Sequence, residues 1–299
     1  VPFEHLLYYT SKKLNAKYIV EILDLWPQTF VDLVIINKWN PILFFSYLAE
    51  KWLYTKANKV VFSMEGGKDY IIDRKWDLNN HGPIDLKKIH YINNGVDLND
   101  FHNNIIKYRL PDLDLDNNKI QKIIYIGAIR IANNIQELIN AAENLKDYSD
   151  IKFLIYGDGE DRELLEKYCR ERKLSNIIFK QKWIEPHFVP YVLSKSTVNI
   201  LNYSGKFGKY GGSQSKLFQY LASGKPICCN LDMMYCLINK HNLGISKVFK
   251  SSEEYAQSIL SLINLDQKSK LEMSKRAQVV AEQFDYVSLT KKMIDVFKS

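Results

Sequence analysis

Cysteine, clustered charge and long apolar runs are all scarce in this chain of 299 residues, and each scarcity excludes a class of protein. The four cysteines form neither a CxxC pair nor a Cys/His ligand spacing, which indicates reduced core thiols of a cytoplasmic protein and no structural metal. No apolar run is as long as a membrane span. The six histidines show no pairing with Ser, Cys or Asp that would indicate a catalytic triad or a metal site.

The charge of the chain is basic but dispersed. The formal net charge is +7, and the lysines are scattered rather than gathered in one block. Such lysines favour a solvated surface, and the alternative is attraction to anionic substrates or to an anionic membrane face. No RNA- or DNA-binding motif is present, so we expect no nucleic-acid partner. A hydrophobic content of 46% and a charged content of 25% are typical of a globular protein.

Strand and helix patterns alternate along the first third of the chain. Apolar runs predict buried strands at Lys17–Leu23, Lys59–Ser63 and Lys88–Ile92. Pro41–Ala57 has the pattern of a helix that begins with proline after an N-cap asparagine. Polar residues then dominate Asn93–Lys119, which we interpret as an interdomain linker.

The alternation is more regular after this linker. Strands are predicted at Lys122–Ile126, Lys152–Tyr156, Asn176–Phe179, Val198–Leu201 and Pro226–Cys229. Helices are predicted near Asn133–Leu145, Asp161–Arg172, Pro186–Ser194, Ser213–Ala222, Lys268–Gln283 and Tyr286–Phe297. This order predicts an α/β protein whose parallel sheet carries helices on both faces, as in a Rossmann-like domain.

One glycine turn carries the strongest functional signal. Gly211 and Gly212 follow the strand Val198–Leu201 and permit a tight turn with close backbone approach. Ser213 is a good N-cap for the next helix, and Lys216 would lie in its first turn. Free N–H groups and the positive end of the helix dipole then meet at the turn, an arrangement that suits a phosphate. The alternative is an ordinary strand-to-helix connection.

Motifs in five places carry a family resemblance. Gly212-Ser-Gln-Ser-Lys-Leu-Phe-Gln-Tyr-Leu-Ala-Ser-Gly-Lys-Pro-Ile227 resembles the donor-site segment S-P-N-K-L-F-E-Y-M-A-x-G-K-P of family-4 retaining glycosyltransferases. Residues 19–27 resemble that family's D-L-W-P strand end, and residues 91–97 resemble its I-P-N-G-V-D segment. Residues 125–130 and 153–159 resemble the first two strand ends of its carboxy-terminal domain.

The resemblance implies a GT-B-like α/β fold with two Rossmann-like domains. Residues 1–104 would form the acceptor-side domain, residues 105–284 the nucleotide-sugar-binding domain, and residues 285–299 a terminal helix that crosses back to the first domain. The family's opening strand and glycine-rich turn do not precede the predicted helix Val1–Leu14. We therefore expect an amino-terminally truncated chain with an incomplete first domain, which would transfer sugar poorly.

The activity that the resemblance implies is transfer of a sugar from a nucleotide diphosphate sugar to an acceptor hydroxyl, with retention at the anomeric carbon. The expected setting is bacterial cell-surface polysaccharide or lipid-linked glycan synthesis, in the cytoplasm or at the inner membrane face. The expected partners are a nucleotide-sugar donor, a glycan or lipid-linked acceptor, and an anionic membrane in peripheral contact. No cofactor and no obligatory metal are expected.

The resemblance also implies the site residues. The expected donor-binding residues are Gly127, Arg130, Gly159, Gln181, Gly211, Gly212, Ser213, Lys216 and Gln219. Among them, Arg130 and Lys216 are expected to face one another and hold the diphosphate. On the acceptor side, Asp24 would orient the hydroxyl or act as a base, and the alternative is a structural aspartate in a turn.

The chain departs from the family pattern at basic and at acidic positions. Ala128 stands where many members have an arginine, so Arg130 would take over that role. Gly211 and Gln219 stand where the family has carboxylates. Gln219 can still hydrogen-bond the ribose hydroxyls without a charge, and recognition of the donor sugar would shift to the backbone N–H groups of Gly212 and Ser213. Two other functions therefore stay open. One is a nucleotide-sugar 2-epimerase of the same fold, and the other is a non-catalytic, nucleotide-sugar-binding partner subunit.

Overall fold

The structure is a computed structural model that describes residues 2–32, 36–37, 39–204 and 208–299. Its strands, in chain order, are β1 (Ile19–Ile22), β2 (Lys59–Phe62), β3 (Ile89–Tyr91), β4 (Gln121–Ile126), β5 (Ile151–Tyr156), β6 (Ile177–Phe179), β7 (Val198–Leu201), β8 (Ile227–Cys229) and β9 (Gly244–Ser246). Its helices are α1 (Pro2–Lys13), α2 (Gln28–Asp32), α3 (Pro41–Lys56), α4 (Gly67–Asp73), α5 (Leu98–Lys107), α6 (Leu113–Asp116), α7 (Ile135–Glu143), α8 (Arg162–Glu171), α9 (Val189–Ser194), α10 (Ser215–Ser223), α11 (Leu237–Lys240), α12 (Ser252–Ile263), α13 (Gln267–Gln283) and α14 (Tyr286–Lys298). Val1, with which the first predicted helix begins, lies outside the described residues.

The strands in the described ranges form two separate sheets, and every pairing is parallel. The first sheet has the order β1-β2-β3, and the second has the order β6-β5-β4-β7-β8-β9. Parallel strands need long crossovers, and here the helices supply them. The predicted α/β fold class is confirmed.

Strand β4 shows why these short apolar runs become central strands. Ile123 and Tyr125 point into a core against α7 and α12, whereas Ile124 packs on the other face with Tyr191 and Val192 of α9. Alternate residues of a strand face opposite sides of the sheet, so a strand covered on both sides must be apolar throughout. That requirement accounts for the unbroken apolar pattern that predicted the strand.

The segment interpreted as a linker contains two helices, α5 and α6. Asp97 caps α5 by accepting a hydrogen bond from the Asp100 N–H, and Asp112 caps α6 by accepting one from the Asp114 N–H. Phe101 of α5 is buried in the core beneath the second sheet. The aspartates that made the composition polar are therefore N-caps, and the segment between the two sheets contains helices that its composition did not indicate.

The last helix, α14, contacts the first half of the chain. Val96 donates its N–H to the Phe284 carbonyl, and Tyr286 donates its N–H to the Val96 carbonyl. At the far end of α14, the Lys17 ammonium donates to the Phe297 carbonyl at 2.9 Å. In the part of the chain that the structure describes, every helix is too short or too polar to span a bilayer.

Candidate functional site

The order of the second sheet defines a crevice at its carboxyl edge. The chain runs from β4 outward through β5 to β6 and then returns to β7 on the other side of β4. Ligands of doubly wound sheets bind at such a reversal, outside the strand ends. The segments that follow β4 and β7 are joined across this crevice by two hydrogen bonds. The Ser204 N–H donates to the Ala132 carbonyl at 2.9 Å, and the Asn202 amide donates to the Asn133 carbonyl at 2.8 Å.

Lys216 of α10 reaches the end of β4 and lies against Gly127. A Cβ atom on Gly127 would be 2.2 Å from the Lys216 Nζ, and Gly127 has a φ of +150°. The positive φ favours glycine, since another residue would strain the backbone, and a side chain here would also displace the Lys216 ammonium. Gly127 and Lys216, which are 89 positions apart in the sequence, are thus brought together.

The Lys216 ammonium lies in a mostly buried position without a compensating carboxylate. Its Nζ lies 3.4 Å from the hydroxyl of Tyr125 and 4.8 Å from the centre of that ring, and the hydroxyl itself donates to the Ala128 carbonyl. Among the described residues, no carboxylate forms a salt bridge with it. Burial lowers the pKa of Lys216 from 10.5 to about 8. A cation held in this way is electrostatically prepared for an anion.

The glycine turn before α10 is built differently from the prediction. The helix begins at Ser215 with Gln214 as its N-cap, and the Gln214 side chain makes no capping hydrogen bond. Ser213 is not the cap, because its hydroxyl donates to Asn93 Oδ1 at 2.6 Å and accepts from Asn94 Nδ2 at 2.8 Å. The start of α10 therefore has no side-chain cap, and its free N–H groups and dipole face the turn.

The turns after β4, β5 and β6 are packed against one another. The Gly157 N–H donates to the Gln181 carbonyl at 3.1 Å. The carbonyl of Gln181, a residue predicted to contact the nucleotide sugar, therefore already has a backbone partner. A Cβ on Gly159 would lie 2.2 Å from the Ile129 carbonyl oxygen. Arg130 is exposed beside this packed edge, and Gln219 is partly buried in the second turn of α10.

A cleft of about 300 Å³ lies between the first sheet and the glycine turn. Asp24, Gly211, Gly212 and Ser213 are the predicted site residues that line it, and Asp32 of α2 lines it as well. The Asp24 side chain is exposed, and its carbonyl accepts from the Trp26 N–H at 3.0 Å. The structure thus brings Lys216 to Gly127 and places Asp24, Gly211, Gly212 and Ser213 around the cleft. Among the described residues, no side-chain hydrogen bond or salt bridge joins Arg130 to either group.

Sequence reasoning missed three residues that position the site. Asn93 and Asn94 hold Ser213, and their only sequence signal was their place in the segment Tyr91–Asp97. Tyr125 contacts Lys216 from the end of β4. In a sequence, an aromatic residue at that position indicates only a core residue. Among the described residues, no group of three His, Cys, Asp or Glu side chains could share a metal ion.

The fold is a Rossmann-like α/β architecture with a ligand crevice at the carboxyl edge of a parallel sheet, and a family model gives the membership. The family described as glycosyl transferases group 1 matches residues 114–280. Because this match covers more than half of the chain, the protein belongs to that family. No curated protein sequence matches the chain significantly.

Solved structures show the same fold at low sequence identity. HepE of Anabaena, in complex with UDP, has a TM-score of 0.74 at 15% identity, over 99% of this chain and 76% of that chain. Sucrose-phosphate synthase of Thermosynechococcus elongatus has a TM-score of 0.69 at 14% identity, over 97% and 70%. OtsA without ligand has a TM-score of 0.76 at 12% identity, over 100% and 70%. The chain thus has the GT-B-type fold that the family resemblance implied.

Proposed function

We propose that the chain is a retaining glycosyltransferase of family-4 type that transfers a hexose from a nucleotide diphosphate sugar to an acceptor hydroxyl. The observation that carries this proposal is the mostly buried Lys216 ammonium, which lies at the crevice beside Gly127 and forms no salt bridge with any carboxylate that the structure describes. A diphosphate there would compensate the charge and accept hydrogen bonds from the start of α10. The complex of HepE with UDP supports a nucleotide diphosphate as the ligand class.

The residues of the site match the needs of such a transfer. The bond between the anomeric carbon and the diphosphate oxygen breaks, and this oxygen keeps the electron pair. Lys216, Arg130 and the dipole of α10 stabilise the charge that grows on the diphosphate, so the chemistry needs no metal or other cofactor. The acceptor oxygen bonds to the same face of the anomeric carbon, and its proton passes to the leaving diphosphate. Asp24, in the wall of the cleft, orients this hydroxyl.

A panel of UDP-, GDP- and ADP-sugars tests the proposal. Calorimetry should detect binding of at least one nucleoside diphosphate, and incubation with lipid-linked sugar acceptors should give a product with the donor's anomeric configuration, as measured by NMR. An inverted product would refute retention. Release of a 2-acetamido sugar epimer without an acceptor would identify a 2-epimerase instead, and a chain that binds a nucleotide sugar but gives no product with any acceptor would fit a non-catalytic subunit.

Replacing Arg130 by alanine tests its assignment to the diphosphate. One hydrogen bond to a charged group contributes about 1.5–3 kcal/mol, so we expect roughly ten- to a hundredfold weaker binding of the nucleoside diphosphate. Binding of the uncharged nucleoside should change little, because it lacks the phosphates. The matched control is Arg170→Ala on α8, where the side chain is exposed. Equal losses for nucleoside and nucleotide would assign Arg130 a structural role.

We also propose that the protein works at the inner membrane face, in polysaccharide or lipid-linked glycan synthesis. Helix α3 exposes the rings of Phe44 (62%) and Phe45 (68%). Helix α1 packs beside it through stacked rings of His5 and Trp52 and has Lys12 in its last turn. Exposed apolar rings on one helix, with lysine on the helix that packs beside it, suit an anionic lipid surface.

The double variant Phe44→Ser/Phe45→Ser should lose most of the protein's binding to vesicles that contain phosphatidylglycerol, because it removes the apolar contact. Co-sedimentation measures this loss, and vesicles of phosphatidylcholine alone should bind both proteins weakly. Leu113→Ser in α6, where the leucine is 93% exposed, is the control. If wild type and the double variant sediment equally, the membrane assignment is wrong.

A further inference from the structure

A second cavity, of about 430 Å³, adjoins the cleft. Asp32, Lys209 and Tyr210 line both spaces, so a molecule in one can extend into the other. The remaining wall of the second cavity includes Arg74, at the carboxyl end of α4, and Tyr47 of α3. None of the predicted donor-binding residues lines this second cavity, so it is available to the acceptor.

Arg74 is the principal cation of this second cavity. Its guanidinium lies 3.6 Å from the centre of the Tyr47 ring and 5.4 Å from that of Tyr70. It donates a hydrogen bond to the Gln28 side-chain oxygen, which also accepts from the Tyr47 hydroxyl at 2.9 Å. Within the described ranges, no carboxylate forms a salt bridge with Arg74. Stacked rings and a neutral amide thus fix the guanidinium, and the nearby carboxyls of Asp32 and Glu50 act on it through space without a salt bridge among the described residues.

The other charged groups of the cavity are already engaged. Lys209 and Asp73 form a salt bridge of 2.6 Å, and the Tyr210 hydroxyl also donates to Asp73 at 2.9 Å. Asp32 accepts from the Gln28 amide at 2.7 Å, and burial raises the pKa of its carboxyl above the ordinary value. The positive charge that a ligand would meet in this cavity is therefore that of Arg74.

We propose that the second cavity binds an oxyanion of the acceptor, either a sugar carboxylate or a phosphate, on the guanidinium of Arg74. This inference rests on the proposed function, because it takes the cleft as the place where the acceptor hydroxyl reacts. An acceptor that spans both spaces would present its hydroxyl near Asp24 and its anionic group to Arg74. A planar fork of N–H donors suits bidentate binding of either oxyanion. The acceptor would thus be selected by charge as well as by shape.

Three small probes test the inference in ligand-observed NMR titrations of the whole chain: methyl glucuronoside, glucose 1-phosphate and neutral methyl glucoside. Excess UDP is present in one series, so that the phosphate probe does not occupy the diphosphate site. At least one anionic probe should bind about tenfold or more tightly than the neutral probe. If the carboxylate probe binds more tightly than the phosphate probe, the acceptor contains an acidic sugar. If the phosphate probe binds more tightly, the acceptor is phosphorylated.

Variants assign this preference to the cavity. Arg74→Gln should bind the anionic probes no better than the neutral one, Arg74→Lys should keep part of the preference, and the control Arg170→Gln should keep all of it. Thermal melting and UDP affinity report whether each variant is folded. If wild type shows no preference, or if Arg74→Gln keeps it, the inference is wrong. Nucleoside diphosphate binding that persists in that case leaves the proposed function standing, whereas a wild-type chain that binds none of UDP, GDP and ADP contradicts the proposed function itself.

Discussion

Replacing Lys216 by methionine should weaken nucleoside diphosphate binding by roughly ten- to a hundredfold and at the same time stabilise the empty protein. Affinity falls because the diphosphate loses its buried cation. Stability rises because the methionine side chain has a similar length and does not bury a charge. The lowering of the pKa of Lys216 from 10.5 to about 8 corresponds to about 3 kcal/mol of destabilisation at pH 7. An apo protein that is more stable and binds less well would indicate a residue kept for function.

The pH dependence of this effect has a definite sign. The folded protein releases the Lys216 proton at a lower pH than the unfolded chain does, so between pH 8 and pH 10.5 the unfolded chain binds more protons. The contribution of Lys216 to stability is therefore most unfavourable below pH 8 and rises with pH through this window. A bound diphosphate favours the ammonium form, so nucleotide binding above pH 8 should take up a proton.

Calorimetry in buffers of different ionisation enthalpy measures that proton uptake, and denaturant unfolding at several pH values measures the stability. Lys250→Met, on an exposed side chain, is the matched control and should change neither quantity appreciably. Uridine should bind Lys216→Met and wild type equally. A variant that loses uridine and UDP to the same degree, or that unfolds more easily than wild type at pH 7, would show that Lys216 supports the fold instead.

Glu50 gives the second large expected effect, a stability that falls as the pH rises from acid to neutral. This residue of α3 is 6% exposed, and its carboxyl accepts hydrogen bonds from the hydroxyls of Tyr54 and Tyr70, each at 2.7 Å. Burial outweighs these bonds and raises the pKa of Glu50 from 4.5 to about 7. Below pH 4.5 the carboxyl is neutral in both states, and between pH 4.5 and pH 7 the unfolded chain loses its proton first.

The variant Glu50→Gln removes this titration and keeps the shape of the side chain. The difference between its free energy of unfolding and that of wild type should therefore increase, in favour of the variant, by roughly 3 kcal/mol from acid to neutral pH. Denaturant titrations from about pH 4 to pH 8 give the difference curve, in which the titration of the other carboxylates cancels. Glu171→Gln, on the exposed face of α8, should give a flat curve. A flat curve for Glu50→Gln would mean that the carboxyl is ionised in the folded protein.

The strands were predictable from the sequence because burial on two faces leaves an unbroken apolar pattern. Ile123, Ile124 and Tyr125 illustrate this, since each is buried and alternate residues enter different cores. Strand β9, Gly244–Ser246, was missed because glycine and serine flank its single apolar residue, Ile245, so no apolar run marks it. Helix α5 was missed because its N-cap, Asp97, was counted as linker composition.

The site was less predictable, because its contacts join residues far apart in the sequence. Local rules favour serine as an N-cap, yet Ser213 bonds to Asn93 and Asn94 across 119 and more positions of the chain. The contact between Lys216 and Gly127 likewise depends on where α10 lies relative to the end of β4, so no local sequence pattern predicts this contact. Residue types at strand ends indicated the kind of ligand, whereas the tertiary fold decided which side chains could meet it.

The glycine turn is joined to both halves of the chain. Gly66 donates its N–H to the Tyr210 carbonyl at 3.0 Å, and a Cβ on Gly66 would lie 2.7 Å from the Tyr210 Cα. Ser213 is bonded to Asn94 at 2.8 Å on the other side of the turn. A diphosphate that rearranged the turn would therefore change these contacts with the first half. A ligand of the first half that changed nucleotide affinity would then, by thermodynamic reciprocity, have its own affinity changed by the same factor.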